Sequence, residues 1–287
     1  MPRLTLLTLC LLAAFTLSAA AQGNPNFNVS DHHMIAGGTL DVTTQSTVGV
    51  PKPIAPASLG QLLELDYGVT GRWTSSFYLE GAAQQGSIVF TGFRLENRLR
   101  PLRGEHWINP ALAFEFANLN EATRTDLDLV GSADLTTASL GTQHRETKRK
   151  ALGKLILSSG LGPWDVAENL TAEKNLDGAN GVNFGYALGV HRPLATGPSS
   201  AACTFCRHSL SAGAEFFGEL GSTERFGLVN TAHYLAPSLA WRVKGSSTLK
   251  FSPAFGLTQK SDRLLVRLSY DFAVEGFGRK LARSLGR

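Results

Sequence analysis

Apolar side chains recur at every second position through most of this sequence, and this alternation constrains the fold strongly. In the clearest stretch, residues 263–272, the even-numbered positions from Leu264 to Phe272 are all apolar or aromatic, and the odd-numbered positions include Arg267 and Asp271. Because successive side chains of a β-strand point to opposite faces, the pattern predicts a strand with one apolar face. About twelve segments share it: 37–48, 61–69, 74–82, 87–99, 108–118, 143–159, 163–176, 181–192, 207–220, 232–243, 247–258 and 263–272.

The lengths and spacing of these segments favour a barrel. Most approach the roughly 9–11 residues that a tilted strand needs to cross a bilayer. Turn sequences such as Thr70-Gly71-Arg72 separate them, as expected between antiparallel neighbours. We therefore expect an all-β chain that forms one closed antiparallel transmembrane barrel of about twelve strands, with a soluble secreted barrel or sandwich as the alternative.

The first 21 residues have the pattern of a secretory signal peptide. Arg3 precedes an apolar run from Leu4 to Leu17, and three alanines end at Ala21, before Gln22. Such a run is too short to span a bilayer comfortably, whereas it suits an export signal. The sequence thus predicts four parts: a signal peptide at 1–21, an N-terminal leader at 22–36, the barrel at 37–272 and a basic tail at 273–287.

Export and mid-strand charges together indicate that the apolar face meets lipid. Charged residues interrupt the polar faces in mid-strand, where a water-filled lumen could hold them, while aromatic residues lie near strand ends, as at a membrane interface. We expect a monomer in the bacterial outer membrane. The residues expected to face its lumen are Glu64, Asp66, Glu80, Arg94, Glu96, Arg98, Glu115, Glu215, Glu219, Arg263, Arg267 and Asp271.

The lumen charges leave two functional interpretations open. A barrel of about twelve strands is intermediate between eight strands, which leave almost no lumen, and sixteen, which leave an open channel. Paired charges at this size could either line a narrow pore or plug the barrel with salt bridges. We expect passive passage of a small solute, with a structural or metal-binding barrel that transports nothing as the alternative.

Charge balance and motifs argue against two other classes of protein. The chain has 27 Lys and Arg against 23 Asp and Glu. Once Arg3 is removed, the excess lies in the last fifteen residues, where four basic residues stand against Glu275 alone. A basic surface for nucleic acid is therefore not expected. The sequence contains no Gly-x-Ser-x-Gly or His-Glu-x-x-His motif and no phosphate-binding glycine loop, so we do not expect an enzyme.

Two cysteines and a histidine form the most distinctive local motif, Cys203-Thr-Phe-Cys206-Arg-His208. In an oxidising compartment we expect Cys203 and Cys206 to form a disulfide. A soft-metal site with His208 is the second interpretation. Covalent haem attachment needs Cys-x-x-Cys-His, and Arg207 interrupts that spacing.

The leader contains a second candidate for metal binding, His32-His33-Met34. Two imidazoles and a thioether could gather copper, but the same residues also suit an ordinary solvated leader. The candidate metal ligands are therefore His32, His33 and His208, and no other cofactor is expected.

The stretch from Glu146 to Phe272 resembles a known family. The resemblance lies in Leu155-Ile-Leu-Ser-Ser-Gly-Leu-Gly-Pro-Trp-Asp165, Ala214-Glu-Phe-Phe-Gly-Glu-Leu220, His233-Tyr-Leu-Ala-Pro-Ser-Leu239 and Phe255-Gly-Leu-Thr258, with Leu63-Glu-Leu-Asp-Tyr-Gly-Val-Thr-Gly-Arg-Trp73 similar to the family's first hairpin. This is the bacterial outer-membrane family labelled "MetA-pathway of phenol degradation" or "transporter". The resemblance implies a single-chain barrel of about twelve strands and no catalytic residue, and the family label suggests an apolar or aromatic solute.

The C-terminal tail departs from that family, because fifteen residues follow Phe272. Phe277, Leu281 and Leu285 recur at a spacing of four, which places them on one face of a helix. A basic amphipathic helix tends to lie on an anionic lipid surface. The tail could instead fold back into the lumen or be disordered, and the sequence leaves all three outcomes open.

Overall fold

The computed structural model describes residues 24–52, 56–124, 147–178, 181–195, 209–244 and 246–284. The described residues form twelve strands and a helix. The strands are β1 (Leu40–Val50), β2 (Ser58–Thr70), β3 (Trp73–Gln84), β4 (Ser87–Leu99), β5 (Asn109–Asn120), β6 (Thr147–Leu161), β7 (Trp164–Asn175), β8 (Val182–Pro193), β9 (Leu210–Ser222), β10 (His233–Lys244), β11 (Ser247–Gly256) and β12 (Leu264–Val274), and the helix is α1 (Phe277–Ser284).

The strands form one closed antiparallel barrel. Each strand pairs with its neighbours along the chain, and β12 pairs with β1 from Leu40↔Val274 to Val50↔Leu264. Closure gives every strand two partners and leaves no exposed sheet edge. The barrel of about twelve strands predicted from the alternation is therefore confirmed.

The two ends of the barrel differ in their connections. We call the end at which β1 begins and β12 ends the lower end, and the opposite end the upper end. Two-residue turns join β2 to β3 and β6 to β7 at the lower end, where a longer connection, 100–108, also joins β4 to β5. The end of β5 and the start of β6, which the longest stretch between successive strands (residues 121–146) separates in the sequence, lie at the upper end.

The two faces of the wall have opposite chemistry. Large apolar side chains on the outer face are exposed, among them Leu268, Phe251 and Leu239. On the inner face, the side chains of Arg267 and Glu215 are both 0% exposed. Alternation therefore places large apolar side chains outside, while polar and small side chains with some apolar ones face inward, and the buried side chains of the described strands lie mainly in the lumen.

The helix α1 lies at the lower rim. The Gly278 N–H donates a hydrogen bond to the Gly38 carbonyl at 3.2 Å, and the ring of Phe277 meets the edge of Tyr67 at 6.4 Å. Arg279, Lys280 and Leu281 are exposed. Docking of this helix on lipid stays a prediction, and Leu285 lies outside the described residues.

No helix in the part of the chain that the structure describes is both long enough and apolar enough to cross a membrane.

Candidate functional site

Residues 24–36, here called the N-terminal segment, enter the lumen from the lower end. Asn26, Asn28, Val29 and His32 are buried there. An extended leader in water would leave these side chains exposed, so the expectation of an ordinary solvated leader is wrong for them. The physical reason is that inward-facing side chains of the wall offer partners to the backbone of the segment.

Glu215, on β9, is the main anchor of the N-terminal segment. Its Oε1 atom accepts hydrogen bonds from the backbone N–H groups of Phe27, Asn28 and Val29 at 2.7, 2.8 and 3.0 Å. Successive N–H groups directed at one oxygen make a concavity that binds anions. Hydrogen bonds to an ionised carboxylate are about twice as strong as neutral ones, so this one side chain holds three successive residues of the segment.

Arg267, on β12, completes the anchor. Its Nη2 atom lies 3.0 Å from Oε2 of Glu215, and its Nη1 atom donates to Oδ1 of Asn28. The guanidinium carbon lies 4.7 Å from the ring centre of Phe27 and 5.2 Å from that of Phe217. The guanidinium thus contacts one ring from the segment and one from the wall, and the Glu215 carboxylate balances its buried charge.

Wall side chains pair with the rest of the segment as a neighbouring strand would. Asn169 accepts from the Ser30 N–H at 2.7 Å and donates to the Ser30 carbonyl at 2.8 Å. Below it, Ser158 accepts from the His32 N–H at 3.1 Å, and Thr74 accepts from the Ile35 N–H at 3.1 Å. The segment is therefore bound from mid-lumen down to the lower rim.

Small residues on the wall make room for the segment. Val29 packs in a buried cluster that includes Ala167, Ala187 and Ala236. A Cβ atom built at Gly189 would lie 2.9 Å from Cβ of Val29 and 2.6 Å from Nδ2 of Asn26. These distances leave no space for a side chain at Gly189 while the segment is in place.

A second group of charged side chains, on β3, β4 and β5, lies on the opposite side of the lumen. Arg94 lies 2.6 Å from Glu80 and 3.1 Å from Glu115, and its guanidinium lies over the ring of Tyr78 at 4.4 Å. The hydroxyl of Thr123, which follows β5, donates to Glu80 at 2.5 Å. These contacts join β3, β4 and β5 by side chains as well as by the sheet.

Further lumen pairs include lysines that the sequence analysis missed. Lys154 lies 3.7 Å from Glu96, which also pairs with Arg98 at 3.2 Å. Lys150 pairs with Glu173 at 3.2 Å, and Lys250 pairs with Asp271 at 2.8 Å. The alternation of β6 was too weak to show which way its lysines face, because Gly153 and Ser159 interrupt its outward positions while Leu152 and Ile156 point into the lumen.

The residues expected in the lumen fall into three groups. Glu80, Arg94, Glu96, Glu115, Glu215 and Arg267 are buried. Glu64, Asp66, Arg98, Glu219 and Asp271 are half-buried. Arg263 is a correction: it is exposed and precedes β12, and its N–H donates to the Val50 carbonyl. The alternation had been extended by one residue into a connection.

Two histidines of the N-terminal segment lie beside the connection between β4 and β5. His32 is held at both ring nitrogens, with Nδ1 2.5 Å from the Ser158 hydroxyl and Nε2 2.7 Å from Oε2 of Glu105. His33 lies against it, with ring centres 4.2 Å apart, and its Nδ1 atom is 3.1 Å from Oδ1 of Asp31. Together with Ser158, the side chains of His32, His33, Asp31 and Glu105 form one polar cluster at the lower rim.

The cluster shifts the pKa values of its members. Burial alone would raise the pKa of the Asp31 carboxyl, but hydrogen bonds from His33 lower it to about 2. Burial lowers the pKa of His32, whereas the hydrogen bond to Asp31 raises the pKa of His33. Burial opposes a lower pKa for Glu105, but its bonds with Arg100 and His32 outweigh burial and lower it. Both carboxylates therefore stay ionised at neutral pH.

The predicted disulfide and the third candidate metal ligand cannot be placed in this site. Cys203, Cys206 and His208 lie outside the described residues. The disulfide and the involvement of His208 stay predictions.

The chain matches no protein-family model and no curated protein sequence. Among solved structures, it is similar to the COG4313 outer membrane channel from Pseudomonas putida F1, with a TM-score of 0.57 and 12% identity over 87% of this chain and 100% of that one. It is also similar to the KdgM porin in complex with disordered oligogalacturonate (TM-score 0.48, 8% identity, 82% and 98% covered) and to the CymD monoaromatic hydrocarbon channel (0.42, 8%, 88% and 94%). At these identities the similarity is one of fold, and it rests on the first structure, which has the highest score of the three.

Proposed function

We propose that this chain is an outer-membrane channel that is closed by its own N-terminal segment and that passes a small solute when the segment moves. The exposed apolar outer wall supports placement in lipid, because soluble monomers rarely expose large continuous apolar surfaces. The signal-peptide pattern at 1–21 supports export. The lower end is then the periplasmic end, since both ends of the barrel chain lie there.

The anchoring of the segment by Glu215 is the observation that carries this proposal. The described segment is held in the lumen by hydrogen bonds to side chains, by the charges of Glu215 and Arg267, and by packing around Val29. None of these contacts is part of the strand pairing that closes the barrel. The segment can therefore leave the lumen without breaking the sheet.

The fold similarity to an outer membrane channel agrees with this proposal. The family resemblance in the sequence suggests an apolar or aromatic solute. The alternative, a barrel that transports nothing, is supported by the buried segment and the buried ion pairs inside the described barrel. A conductance measurement distinguishes a channel from a barrel that transports nothing.

The test compares the mature chain with a variant that lacks residues 24–35, each inserted into planar lipid bilayers. We expect the mature chain to be closed for most of the recording, and the variant to show stable openings with at least a tenfold higher mean conductance. A matched control ends the chain after Val274, which removes a segment of similar length at the same end of the barrel. We expect the control to conduct like the intact mature chain.

Two outcomes would contradict the proposal. A shortened barrel that folds, as shown by its mobility on unboiled gels, but conducts no better than the mature chain would favour the structural barrel. A large rise in conductance after truncation at Val274 would make the C-terminal tail the gate instead.

A further inference from the structure

The histidine cluster at the lower rim has the composition of a metal site. One nitrogen from each of His32 and His33 and one carboxylate oxygen of Glu105 lie within 4.8 Å of one another. Bonds from zinc to nitrogen or oxygen are about 2.0–2.2 Å long, so two ligand atoms on one ion can be separated by up to roughly twice that length. A small movement would bring all three atoms onto a single ion.

The burial of the three side chains allows that movement. His32 is fixed, with a side chain only 5% exposed, whereas the side chains of His33 and Glu105 are 56% and 64% exposed. The lumen wall thus holds His32 in position, whereas the exposed side chains of His33 and Glu105 can change conformation to reach an ion. Their exposure also leaves a further coordination position open to water.

Each ring has a second partner that orients it. Nδ1 of His32 meets the Ser158 hydroxyl, and Nδ1 of His33 meets the Asp31 carboxylate. Histidines that bind metals almost always use their other ring nitrogen for a bond to a carboxylate, a carbonyl or water. Both rings therefore use Nδ1 for such an orienting bond, as metal-binding histidines do when Nε2 takes the ion.

We propose that His32, His33 and Glu105 bind a zinc or copper(II) ion, with Asp31 and Ser158 as orienting partners and water in the remaining position. Imidazole nitrogens suit zinc and copper, whereas calcium and magnesium prefer oxygen ligands. Two imidazoles and one carboxylate are also a ligand set known for zinc with an open position. The ion would join the N-terminal segment to the connection between β4 and β5.

The test is titration of the metal-free mature protein with Zn²⁺, and separately with Cu²⁺, in detergent by isothermal calorimetry. We expect one ion per chain. Because their side chains are largely exposed, His33→Ala and Glu105→Gln should leave the barrel folded, and each should weaken binding at least tenfold. Asp31→Asn should weaken it about 10–100-fold, the usual effect of losing an orienting partner.

His106→Ala is the matched control, because His106 is exposed, lies in the same connection and has its Nε2 atom bonded to the Arg103 carbonyl. We expect this control to bind like the unmodified protein. Absence of stoichiometric binding would overturn the proposal, and the bond between His32 and Glu105 would then be an ion pair only. Binding that survives His33→Ala and Glu105→Gln but is lost in His208→Ala or Cys203→Ser/Cys206→Ser would place the metal elsewhere. Since no step measures transport, this result is independent of the channel proposal.

Discussion

Neighbouring residues of β12 show how the alternation divides the wall between two environments. Leu268 is 47% exposed on the outside, while Arg267 is fully buried inside and paired with Glu215. A charged side chain at position 268 and an apolar side chain at position 267 are therefore expected to affect assembly of the barrel unequally. If the barrel lies in a membrane, as proposed, a charge on the outer face has to enter lipid, whereas a side chain on the inner face stays out of lipid.

We predict that Leu268→Arg assembles poorly, because a charged side chain facing lipid costs about 2–4 kcal/mol near the middle of the bilayer. Arg267→Leu, combined with Glu215→Gln so that no unpaired buried charge remains, leaves the outer wall apolar and should assemble better. The fraction of folded barrel, measured on unboiled gels after refolding into vesicles, checks the ranking. Equal defects, or a worse defect in the double variant, would mean that the faces are assigned wrongly.

At the scale of whole elements, the N-terminal segment differs from the strands in how it is attached. Strands are held by backbone partners along their full length, whereas the segment depends on a few wall side chains, foremost Glu215. A single substitution on the wall can therefore release the segment without affecting strand pairing.

We predict that Glu215→Gln increases the open fraction of the channel at least tenfold. The amide keeps one acceptor but loses the charge, and hydrogen bonds to charged groups contribute about 1.5–3 kcal/mol each, where about 1.4 kcal/mol is a factor of ten. Single-channel recording measures the effect. Glu219→Gln is the control, since Glu219 lies on the same strand and is half-buried, and it should change the open fraction much less. If both substitutions raise the open fraction equally, Glu215 is not the main anchor of the N-terminal segment.

The elements also differ in how far sequence predicts them. Strand direction is a local property, so alternation located every strand to within about four residues; β1 starts at Leu40 rather than at 37 because the preceding Gly38 adopts a positive φ of 79° in a turn. The N-terminal segment could not be placed in this way. Apolar residues do not recur at a regular spacing in it, and the hydrogen-bond partners of its backbone lie up to 188 residues away in the chain.

Some signals for the segment were nevertheless present. Alanine and glycine recur on inner-facing positions of β7, β8 and β10, including Ala167, Gly189 and Ala236. In a barrel these small side chains leave space that something else has to fill. The sequence shows the space but not its occupant, because several connections, the leader and the tail could all have reached it.

At the scale of the molecule, the protein is a closed wall with an internal segment that belongs to the same chain. Strand pairing holds the wall, and wall side chains hold the segment. The segment can therefore enter and leave the lumen while the barrel stays folded. In the proposed channel, the lumen is closed when Val29 lies against Gly189 and open when it does not.

The most direct measurement of this closure is the conductance of Gly189→Leu in planar lipid bilayers. A Cβ atom at this position would lie 2.9 Å from Cβ of Val29 and 2.6 Å from Nδ2 of Asn26, so a larger side chain and the N-terminal segment cannot both fit, and the segment should leave the lumen. The mean conductance should then rise at least tenfold over that of the unmodified chain. Gly153→Leu is the matched control, because a Cβ atom at Gly153 would meet nothing within 4 Å, and it should conduct like the unmodified chain. A Gly189→Leu barrel that folds, as shown by its mobility on unboiled gels, but conducts no better than the unmodified chain would contradict closure by the segment.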